Sequence, residues 1–264
     1  MDLEKKLYTK SSKELTLRVE TSRNPEDYKK YEEIRYSIWG DSNDNLASNR
    51  NLFSENIFTR GSSIFIGAYI DGKMVGFSYG YFGFDDLRGF SDTENIHFYS
   101  QYNGVVDGYR NDGIGYSMKI YQREIVENMG VGRILCTFDP LVSVNAHMNV
   151  SKLKSFILDY EENPYPGFAG NFNSLNIPSD RLLSLWVFDR EREIPGYLDI
   201  DSVVIKVPED YYEILESDAD IALDWRLRTR ELFKEYMKKR RFKIIDFIVS
   251  DTDKYYVLSK NSLC

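Results

Sequence analysis

One stretch of the sequence combines residue types and spacing that suit the binding of an anion. Residues 105–117, VVDGYRNDGIGYS, run from an apolar pair through a glycine-bearing turn into an amphipathic helical pattern. The first N–H groups of a helix have no acceptor within the helix, and the helix dipole is positive at that end. We therefore predict that this turn and helix start bind a phosphate or a pyrophosphate.

Two common nucleotide-binding motifs do not fit this stretch. A Walker A loop, GxxxxGK[ST], has a lysine after its second glycine, whereas Ile114 follows Gly113 here. The dinucleotide-binding motif GxGxxG requires a third glycine where this chain has Met118, and it opens a βαβ unit, whereas an antiparallel hairpin is predicted before this turn. The pattern that remains is Arg110-x-x-Gly113-x-Gly115.

This pattern resembles the coenzyme A pyrophosphate signature, R/Q-x-x-G-x-G/A, of the GNAT superfamily of N-acyltransferases. In that superfamily the signature lies between the fourth strand of a central sheet and the next helix, behind an antiparallel hairpin. The resemblance implies a mixed α/β (α+β) fold with a central, mostly antiparallel sheet flanked by helices, whose fourth and fifth strands splay apart for the pantetheine arm. Asn103-Gly104 stands where we expect the splay to begin. The alternative is a helix start whose glycines serve packing alone.

Four further segments are similar to a poorly characterised GNAT subfamily described as predicted acetyltransferases. In chain order they are TFDPL at 137–141, NAHMN at 145–149, PSDRL at 178–182 and WRLRTRE at 225–231. The likeness covers roughly residues 15–259. It implies an acyl-CoA-binding domain over residues 1–190 and a small C-terminal β-α-α-β-β extension over residues 197–264, separated near Pro195-Gly196.

The resemblance also implies which residues form the site. The turn would hold the pyrophosphate, the end of the preceding strand would pair with the pantetheine amides and supply an oxyanion donor, and an asparagine would contact the cofactor arm. These cofactor-binding candidates are Val105, Val106, Arg110, Asn111, Asp112, Gly113, Ile114, Gly115, Tyr116 and Asn145. The catalytic candidates are Asp139 and Asn149. The acids at strand ends are Asp107 and Asp139, and Asp139, which follows the predicted strand 134–138 beside the expected splay, is the proposed general base, working through water. For Asp139-Pro140 a turn or helix cap is the alternative.

Two features depart from the pattern of the superfamily. Asp112 places a negative charge beside the expected phosphates, so either the affinity is lowered or this side chain points outward. Many GNAT enzymes carry a tyrosine after the fifth strand that protonates the departing thiolate, but residues 148–152, MNVSK, contain none. Tyr160, just before a long irregular loop over 161–180, and Tyr165, near the start of that loop, are the tyrosines considered as the acid, but packing is the ordinary role of each.

Periodicity and turn chemistry predict the elements that position these residues. Asn24-Pro25 predicts a capped helix start, and Asp71-Gly72 predicts a type I′ hairpin turn. The predicted strands are 15–19, 64–70, 73–84, 97–106, 134–138, 182–188, 202–207, 242–249 and 255–258. The predicted helices follow Asn24, span 43–58, 113–129 and 144–157, and start near 208 and 220.

Composition excludes several classes of protein. Lys and Arg number 34 against 42 Asp and Glu, and the net charge of −8 disfavours a nucleic-acid partner. Two cysteines and two histidines, without a CxxC pair, offer neither a disulfide framework nor a zinc site, so we expect no metal. The first 15 residues lack a signal-peptide stretch and no run of 18 apolar residues occurs, so we expect a cytoplasmic protein without a membrane partner.

The resemblance implies an acyl-CoA-dependent N-acyltransferase, in which a primary amine of a small molecule or amino acid attacks the thioester directly. Acetyl-CoA is the donor that the resemblance implies first, and another acyl-CoA such as succinyl-CoA would need only a changed pocket. Two alternatives stay open: a non-catalytic acyl-CoA-binding or regulatory module, motivated by the missing tyrosine, and a purely structural module. A homodimer through the aromatic-rich surface is a further conjecture.

Overall fold

A computed structural model describes residues 3–22, 24–39, 62–87, 89, 93–164, 177–189 and 201–260. The predicted helix over 43–58 and the predicted domain boundary between 190 and 197 lie outside these residues. The chain divides into two compact units, Met1–Leu135 and Cys136–Cys264. No helix in the described ranges is long and apolar enough to cross a membrane.

The first unit is built on an antiparallel sheet whose strands follow one another in chain order. Its elements are β1 (Glu4–Tyr8), β2 (Glu14–Val19), α1 (Lys29–Trp39), β3 (Ser63–Ile70), β4 (Lys73–Phe84), β5 (Ile96–Val105), α2 (Ile114–Asn128) and the start of β6 (Arg133–Phe138). Each strand from β1 to β5 pairs antiparallel with the next. The register between β5 and β6 is parallel and joins Phe98–Tyr99 to Ile134–Leu135.

Local chemistry produces several of these elements as predicted. Asp71 and Gly72 have φ values of 50° and 75°, the two positive angles that a type I′ turn between β3 and β4 requires. Asn24 caps a short helical turn, Pro25–Tyr28, that leads into α1, and its Oδ1 accepts from Glu26 N at 3.2 Å. The strong hairpin and capping signals are therefore confirmed.

An aromatic core lies between α1 and the sheet of the first unit. Tyr31 is fully buried and contacts the fully buried rings of Phe65 and Phe77. A Cβ atom at Gly104 would lie 2.4 Å from the ring of Trp39. Gly104 is therefore required for the close approach of α1 to β5.

Two features of the first unit differ from the expectations. No strand was predicted before residue 15, but the chain there contains β1, whose charged, alternately exposed residues give a weak strand signal and suit a sheet edge. The described pairing of β5 with β6 ends at Tyr99, before Asn103-Gly104, where the splay was expected to begin. Asn103-Gly104 pairs regularly with β4, and the irregularity between β4 and β5 leaves Gln101 unmatched instead.

The second unit combines two groups of strands with helices. Its elements are the end of β6, α3 (Ser143–Ala146), β7 (Phe156–Glu161), β8 (Arg181–Val187), β9 (Val203–Val207), α4 (Tyr211–Ser217), α5 (Ala219–Phe233), β10 (Lys243–Val249) and β11 (Lys254–Ser259). β8 lies between β6 and β7, and β11 lies between β10 and β9. One buried cluster includes Phe138 and Leu182 as well as Ile205 and Tyr256.

The predicted helix over 144–157 was too long. α3 ends at Ala146, and a wider turn follows over His147–Lys152, in which Leu153 N donates to Met148 O at 2.9 Å. Such i→i+5 bonds form a π turn. Lys154 then adopts a φ of 50°, which ends the helical path, and β7 begins at Phe156. The apolar residues that suggested a longer helix belong instead to this strand.

Strand pairing and helix placement together give a mixed α/β (α+β) architecture. The large sheet is mostly antiparallel and helices flank it, as the sequence predicts. In the first unit the pairing places the end of β5 directly before the turn that leads into α2. The end of β5, this turn and the first residues of α2 carry all the cofactor-binding candidates except Asn145, which lies in α3.

Candidate functional site

The turn between β5 and α2 presents backbone N–H groups at the start of a 15-residue helix. Gly108, Asn111 and Gly113 adopt φ values of 82°, 65° and 86°. The bond from Ser117 N to Gly113 O, at 3.0 Å, is the first of the helical ladder. Consequently the N–H groups of Ile114 and Gly115, and of the rest of the first turn, have no acceptor within the helix.

The two glycines of the signature leave room at this helix start. Gly113 is the N-cap residue and makes no side-chain capping bond. A Cβ atom at Gly115 would come no closer than 3.7 Å to its nearest neighbour, Asn103 Nδ2. The amide of Asn103 donates to Gly115 O at 3.2 Å and so fastens the first turn of α2 to β5. The turn therefore has the backbone donors and the space that an anionic group requires.

Arg110 of the signature braces the turn from within. Its Nε donates to Val105 O at 3.0 Å, and its Nη1 lies 2.8 Å from Asp107 Oδ1. The guanidinium thus closes the chain between the end of β5 and the helix start. In this arrangement Arg110 shapes the turn, and the backbone is the group left to contact an anion.

The end of β5 distinguishes between the two valines that the sequence could not separate. Val106 donates its N–H to Val75 O at 2.9 Å, and its carbonyl accepts from Tyr109 N at 3.2 Å. Backbone groups alternate in direction along a strand, so the N–H of Val105 points away from β4. Val105 therefore fits the predicted pairing with a pantetheine amide, and Val106 does not, because its N–H is used in the sheet.

Asp112, which departs from the usual signature, is turned toward the hairpin between β1 and β2. Its carboxylate accepts from Ser11 N at 2.7 Å and from Ser11 Oγ at 2.5 Å. The hydrogen bond from the Ser11 side chain holds the pKa of Asp112 below its ordinary value. The sequence left two alternatives for Asp112, a lowered affinity for phosphate or a side chain that points outward. In the structure the side chain points outward and is hydrogen-bonded to Ser11.

The same hairpin brings two lysines to the turn that sequence reasoning missed. Lys10 donates from its backbone N to Asp112 O and from its Nζ to Asn111 O, each at 3.1 Å. The ammonium of Lys13 lies 5.3 Å from the ring centre of Tyr109. The signal that could have found them is the basic run between residues 10 and 13, but only after β1 and β2 had been recognised as a hairpin.

In the second unit, Asp139 has both carboxylate oxygens engaged. Oδ1 accepts from Leu141 N at 2.9 Å, while Oδ2 accepts from Arg226 and lies 3.3 Å from Arg181 Nη1. A general base needs an oxygen available to take a proton. The geometry therefore fits the alternative interpretation, in which Asp139 stabilises a turn, and adds two arginine partners to it.

Asn149, the second catalytic candidate, is buried and bonded within its own unit. Its amide donates to Asn145 O at 2.9 Å, and its Oδ1 lies 3.5 Å from Cys136 Sγ as an acceptor. These contacts brace the wide turn that follows α3. Asn145 is half-buried, and its predicted contact with the cofactor arm stays a prediction.

A second carboxylate, Asp180, lies fully buried among donors. It accepts from Arg230 Nε at 2.9 Å and Nη2 at 2.6 Å, from Tyr160 Oη at 2.5 Å and from Asn163 N at 3.0 Å. Burial alone would raise the pKa of Asp180, but the hydrogen bonds from Arg230 and Tyr160 and the charges of Arg226 and Arg230 hold it below its ordinary value.

Tyr160 is correspondingly unsuited to protonate a thiolate. Burial and the neighbouring Asp180 both raise the pKa of its hydroxyl, which already donates to that carboxylate. Its ring stacks on Phe233 with ring centres 5.0 Å apart. Tyr160 therefore packs in the core, and Tyr165 lies outside the described residues.

Three of the four segments quoted above meet in this network of ion pairs. Asp139 comes from TFDPL, Asp180 and Arg181 from PSDRL, and Arg226 and Arg230 from WRLRTRE. Their pairing gives a physical reason for these residue types at these positions. Among the described residues, no group of three or more His, Cys, Asp or Glu side chains is arranged to hold a metal ion.

Comparisons with known proteins agree with this architecture at the level of the fold. No protein-family model matches the chain, and no curated protein matches its sequence. A ribosomal-protein alanine acetyltransferase from Vibrio fischeri superposes with a TM-score of 0.52 at 11% identity, covering 73% of this chain and 100% of that one. Arabidopsis thaliana NAA60 in complex with acetyl-CoA gives 0.51 at 15% identity, covering 67% and 99%.

A third solved structure carries the family's name in its description. The acetyltransferase of the GNAT family from Streptococcus pneumoniae superposes with a TM-score of 0.50 at 14% identity, covering 66% of this chain and 99% of that one. Identities this low establish a shared fold and leave the activity to the site. On these matches, the chain has the fold of the GNAT superfamily of N-acyltransferases.

Proposed function

We propose that this chain is an acyl-CoA-dependent N-acyltransferase that transfers an acyl group to a primary amine of a small molecule or amino acid. The observation that carries the proposal is the turn before α2, where the N–H groups of Ile114 and Gly115 lie at an uncapped helix start. A pyrophosphate is a good ligand for such a position because the backbone donors and the helix dipole act together.

The strand before the turn supplies the next part of the proposed site. The N–H of Val105 points away from β4, and the described register of β5 with β6 is confined to Phe98–Tyr99. A pantetheine arm pairing with this edge of β5 would bring the thioester to a backbone donor that stabilises the oxyanion. The Arabidopsis protein of similar fold is seen in complex with acetyl-CoA, which supports acetyl-CoA as the first donor to test.

Direct attack by the amine requires the loss of a proton from nitrogen and the gain of one by the thiolate. Asp139 would serve as the base only by exchanging its partners, since Arg226, Arg181 and Leu141 N occupy its oxygens. Two substrates held in a reactive orientation, with a backbone donor at the developing oxyanion, lower the barrier of such a reaction substantially. The proposal therefore rests on binding and orientation, with the base and acid as the groups still to be assigned.

The first experiment measures binding and turnover with the same protein. Calorimetric titration with CoA, acetyl-CoA and succinyl-CoA, with ATP and NAD as controls, is expected to show CoA-selective binding. Thiol release is then followed with each acyl-CoA and a panel of amines, amino acids and peptides. Turnover with an amine confirms the proposal, and the absence of CoA binding by folded protein overturns it in favour of a purely structural module.

A second candidate is a non-catalytic acyl-CoA-binding module of the same fold. The engaged state of both catalytic candidates favours it: Asp139 is held by two arginines and Asn149 by Asn145 and Cys136. The two candidates differ in one readout. Tight binding of acetyl-CoA with no thiol release, across amines and peptides and over a range of pH, supports the module and excludes the enzyme.

A further inference from the structure

We propose that Lys10, on the hairpin between β1 and β2, belongs to the anion site and binds a phosphate group of the acyl-CoA. The inference rests on the proposed function and adds to it a residue from the turn between β1 and β2, 101 positions away from Asn111 in the chain. The hairpin between β1 and β2 would then be part of the binding site and not only the edge of the sheet.

The hairpin is fastened to the turn by three hydrogen bonds to Asp112. Lys10 N donates to the backbone carbonyl at 3.1 Å, and Ser11 N and Oγ donate to the carboxylate at 2.7 Å and 2.5 Å. Two of these bonds are made to a charged acceptor, and such bonds are stronger than neutral ones. The backbone of Lys10 is therefore held at a fixed place beside the helix start.

The side chain of Lys10 lies beside Gly113, at the start of α2. Its Cγ lies 3.6 Å from the position that a Cβ atom would take on Gly113, and its Nζ donates to Asn111 O at 3.1 Å. An ammonium group has three N–H donors, so one bond to a carbonyl leaves two for an anion. Lys10 is exposed, and its Cε lies 3.9 Å from the position of a Cβ atom on Gly113, so its ammonium group is available to an anion bound at the start of α2.

The local charge explains why a lysine is needed here. Within the turn, Arg110 pairs with Asp107, and Asp112 adds a further negative charge. The whole chain has a net charge of −8. The charged side chains of the turn, Asp107, Arg110 and Asp112, therefore sum to one negative charge, and Lys10 offsets that charge beside the backbone donors of the helix start.

The test compares Lys10→Gln with Lys6→Gln. Lys6 lies on β1 of the same hairpin, is 66% exposed and pairs with Glu14 at 3.4 Å, so its substitution removes an equal charge away from the turn. Calorimetry is performed with CoA, with 3′-dephospho-CoA and with pantetheine, which has no phosphate. Lys10→Arg, which keeps the charge, is the conservative variant.

The expected result is a loss of CoA affinity of about three- to tenfold in Lys10→Gln, with pantetheine binding unchanged and Lys10→Arg close to wild type. A smaller loss with 3′-dephospho-CoA than with CoA would assign Lys10 to the 3′-phosphate, and equal losses would assign it to the pyrophosphate. The loss should also shrink at high ionic strength.

Two results overturn the inference, and they are distinguishable from failure of the proposed function. If wild type binds CoA and the two glutamine variants bind it equally well, Lys10 is not part of the site. If Lys10→Gln weakens pantetheine and CoA by the same factor, Lys10 acts through the fold and not on a phosphate. If wild type itself binds no CoA, the proposed function fails and this inference fails with it.

Discussion

The turn before α2 and the network around Asp180 both contain several charged and polar groups. The turn leaves backbone N–H groups without a helical acceptor, whereas the network pairs its charged side chains with one another. In the turn, the side chains of Arg110 and Asp112 are tied to the backbone and to Ser11, while the N–H groups of the helix start have no helical acceptor. In the network, the charged side chains pair with one another, with Asp180 fully buried and Asp139 and Arg230 mostly buried.

This difference separates groups that hold the protein together from groups that await a ligand. A buried charge needs several donors around it, because transfer out of water is otherwise too costly. Asp180 has four such donor contacts, two of them from Arg230. Backbone donors at a helix start stay hydrated at little cost and exchange water for an anion. A search for the densest cluster of charged side chains would have selected the network around Asp180, and not the turn, as the functional site.

Arg226 is a member of the network with N–H donors that make no hydrogen bond to the described residues. It is 1% exposed, its Nη2 donates to Asp139, and its guanidinium stacks over Tyr211 with 5.1 Å to the ring centre. Its Nε and Nη1 have no hydrogen-bond acceptor in the part of the chain that the structure describes. The stacking on Tyr211 offsets part of that desolvation, because a cation is attracted to the face of an aromatic ring.

The largest effect is expected from Asp180→Asn. The substitution removes the buried charge that pairs with Arg230 and leaves that guanidinium only Glu162, at 4.0 Å, as an acidic partner among the described residues, so we expect the free energy of unfolding to fall by about 3 kcal/mol. Urea denaturation followed by circular dichroism measures the change. CoA binding by the folded variant is expected to persist, since the turn of the first unit is unaltered.

Arg228→Gln is the matched control on the same helix. Arg228 pairs with Asp224 at 2.8 Å, and the two side chains are 75% and 51% exposed. Exposed pairs of this kind contribute about 0.5 kcal/mol or less. Equal losses in Asp180→Asn and Arg228→Gln would remove the distinction between the network and ordinary surface charge.

The pH dependence sharpens the same contrast. Because the pKa of Asp180 is held below its ordinary value in the folded protein, its contribution to stability is fully present above the unfolded-state pKa of about 3.9 and is lost as the pH falls through the lower folded-state pKa. We expect the stability gap between wild type and Asp180→Asn to be constant from neutral pH down to about pH 5 and to narrow below about pH 4. A gap that widens in acid would contradict this assignment.

In the turn, two glycines are expected to respond differently to alanine. Gly113 has a φ of 86°, so Gly113→Ala should lower the free energy of unfolding by about 1–2 kcal/mol and weaken CoA binding as the helix start shifts. Gly115 lies inside α2, and its added methyl group would be 3.7 Å from Asn103 Nδ2. Gly115→Ala should therefore raise stability by up to about 1 kcal/mol and leave CoA affinity within about twofold.

Thermal unfolding and calorimetry on the two alanine variants check this pair. The result that would contradict it is a loss of CoA affinity in Gly115→Ala as large as that in Gly113→Ala. In that case the space at Gly115, and not the backbone conformation at Gly113, would be what the anion requires.

The parts of the structure that the sequence predicts are those governed by neighbours in the chain. Asp71-Gly72 determines a type I′ turn by its own φ preferences, and the run from Arg110 to Gly115 determines a turn and a helix start within six residues. For the same reason the stop of α2 at Gly130, with a φ of 84°, agrees with the predicted helix end.

The parts that could not be predicted depend on residues far apart in the chain. Lys10 reaches Asn111 across 101 positions, and Arg226 reaches Asp139 across 87. Sequence reasoning identified Asp139 by its place at a strand end but had no means of knowing that two arginines would occupy it. The Val105 and Val106 alternatives were separated only by strand register, which fixes the direction of each N–H.

The smallest expected effect comes from Ser11→Ala. This variant tests whether the hydrogen bond from Ser11 holds the carboxylate of Asp112 away from the anion-binding N–H groups. The variant loses the hydroxyl bond to Asp112 but keeps the bond from Ser11 N to Oδ1. The pKa of Asp112 should then rise toward its ordinary value, since that hydroxyl is the main cause of its lowering. A less restrained carboxylate spends more time near the phosphates, and we expect CoA affinity to fall about two- to threefold at low salt.

Ser37→Ala is the control for this variant, because its hydroxyl donates to Ile34 O at 2.8 Å on α1 and has no part in the turn. Calorimetry gives the affinity, and an NMR titration of the Asp112 carboxyl carbon gives its pKa. If the pKa of Asp112 rises in Ser11→Ala while CoA affinity equals that of Ser37→Ala, the carboxylate is too far from the bound anion to matter. The hairpin would then affect the ligand through the charge of Lys10 alone. The hydrogen bond between Ser11 and Asp112 would have no influence on CoA affinity.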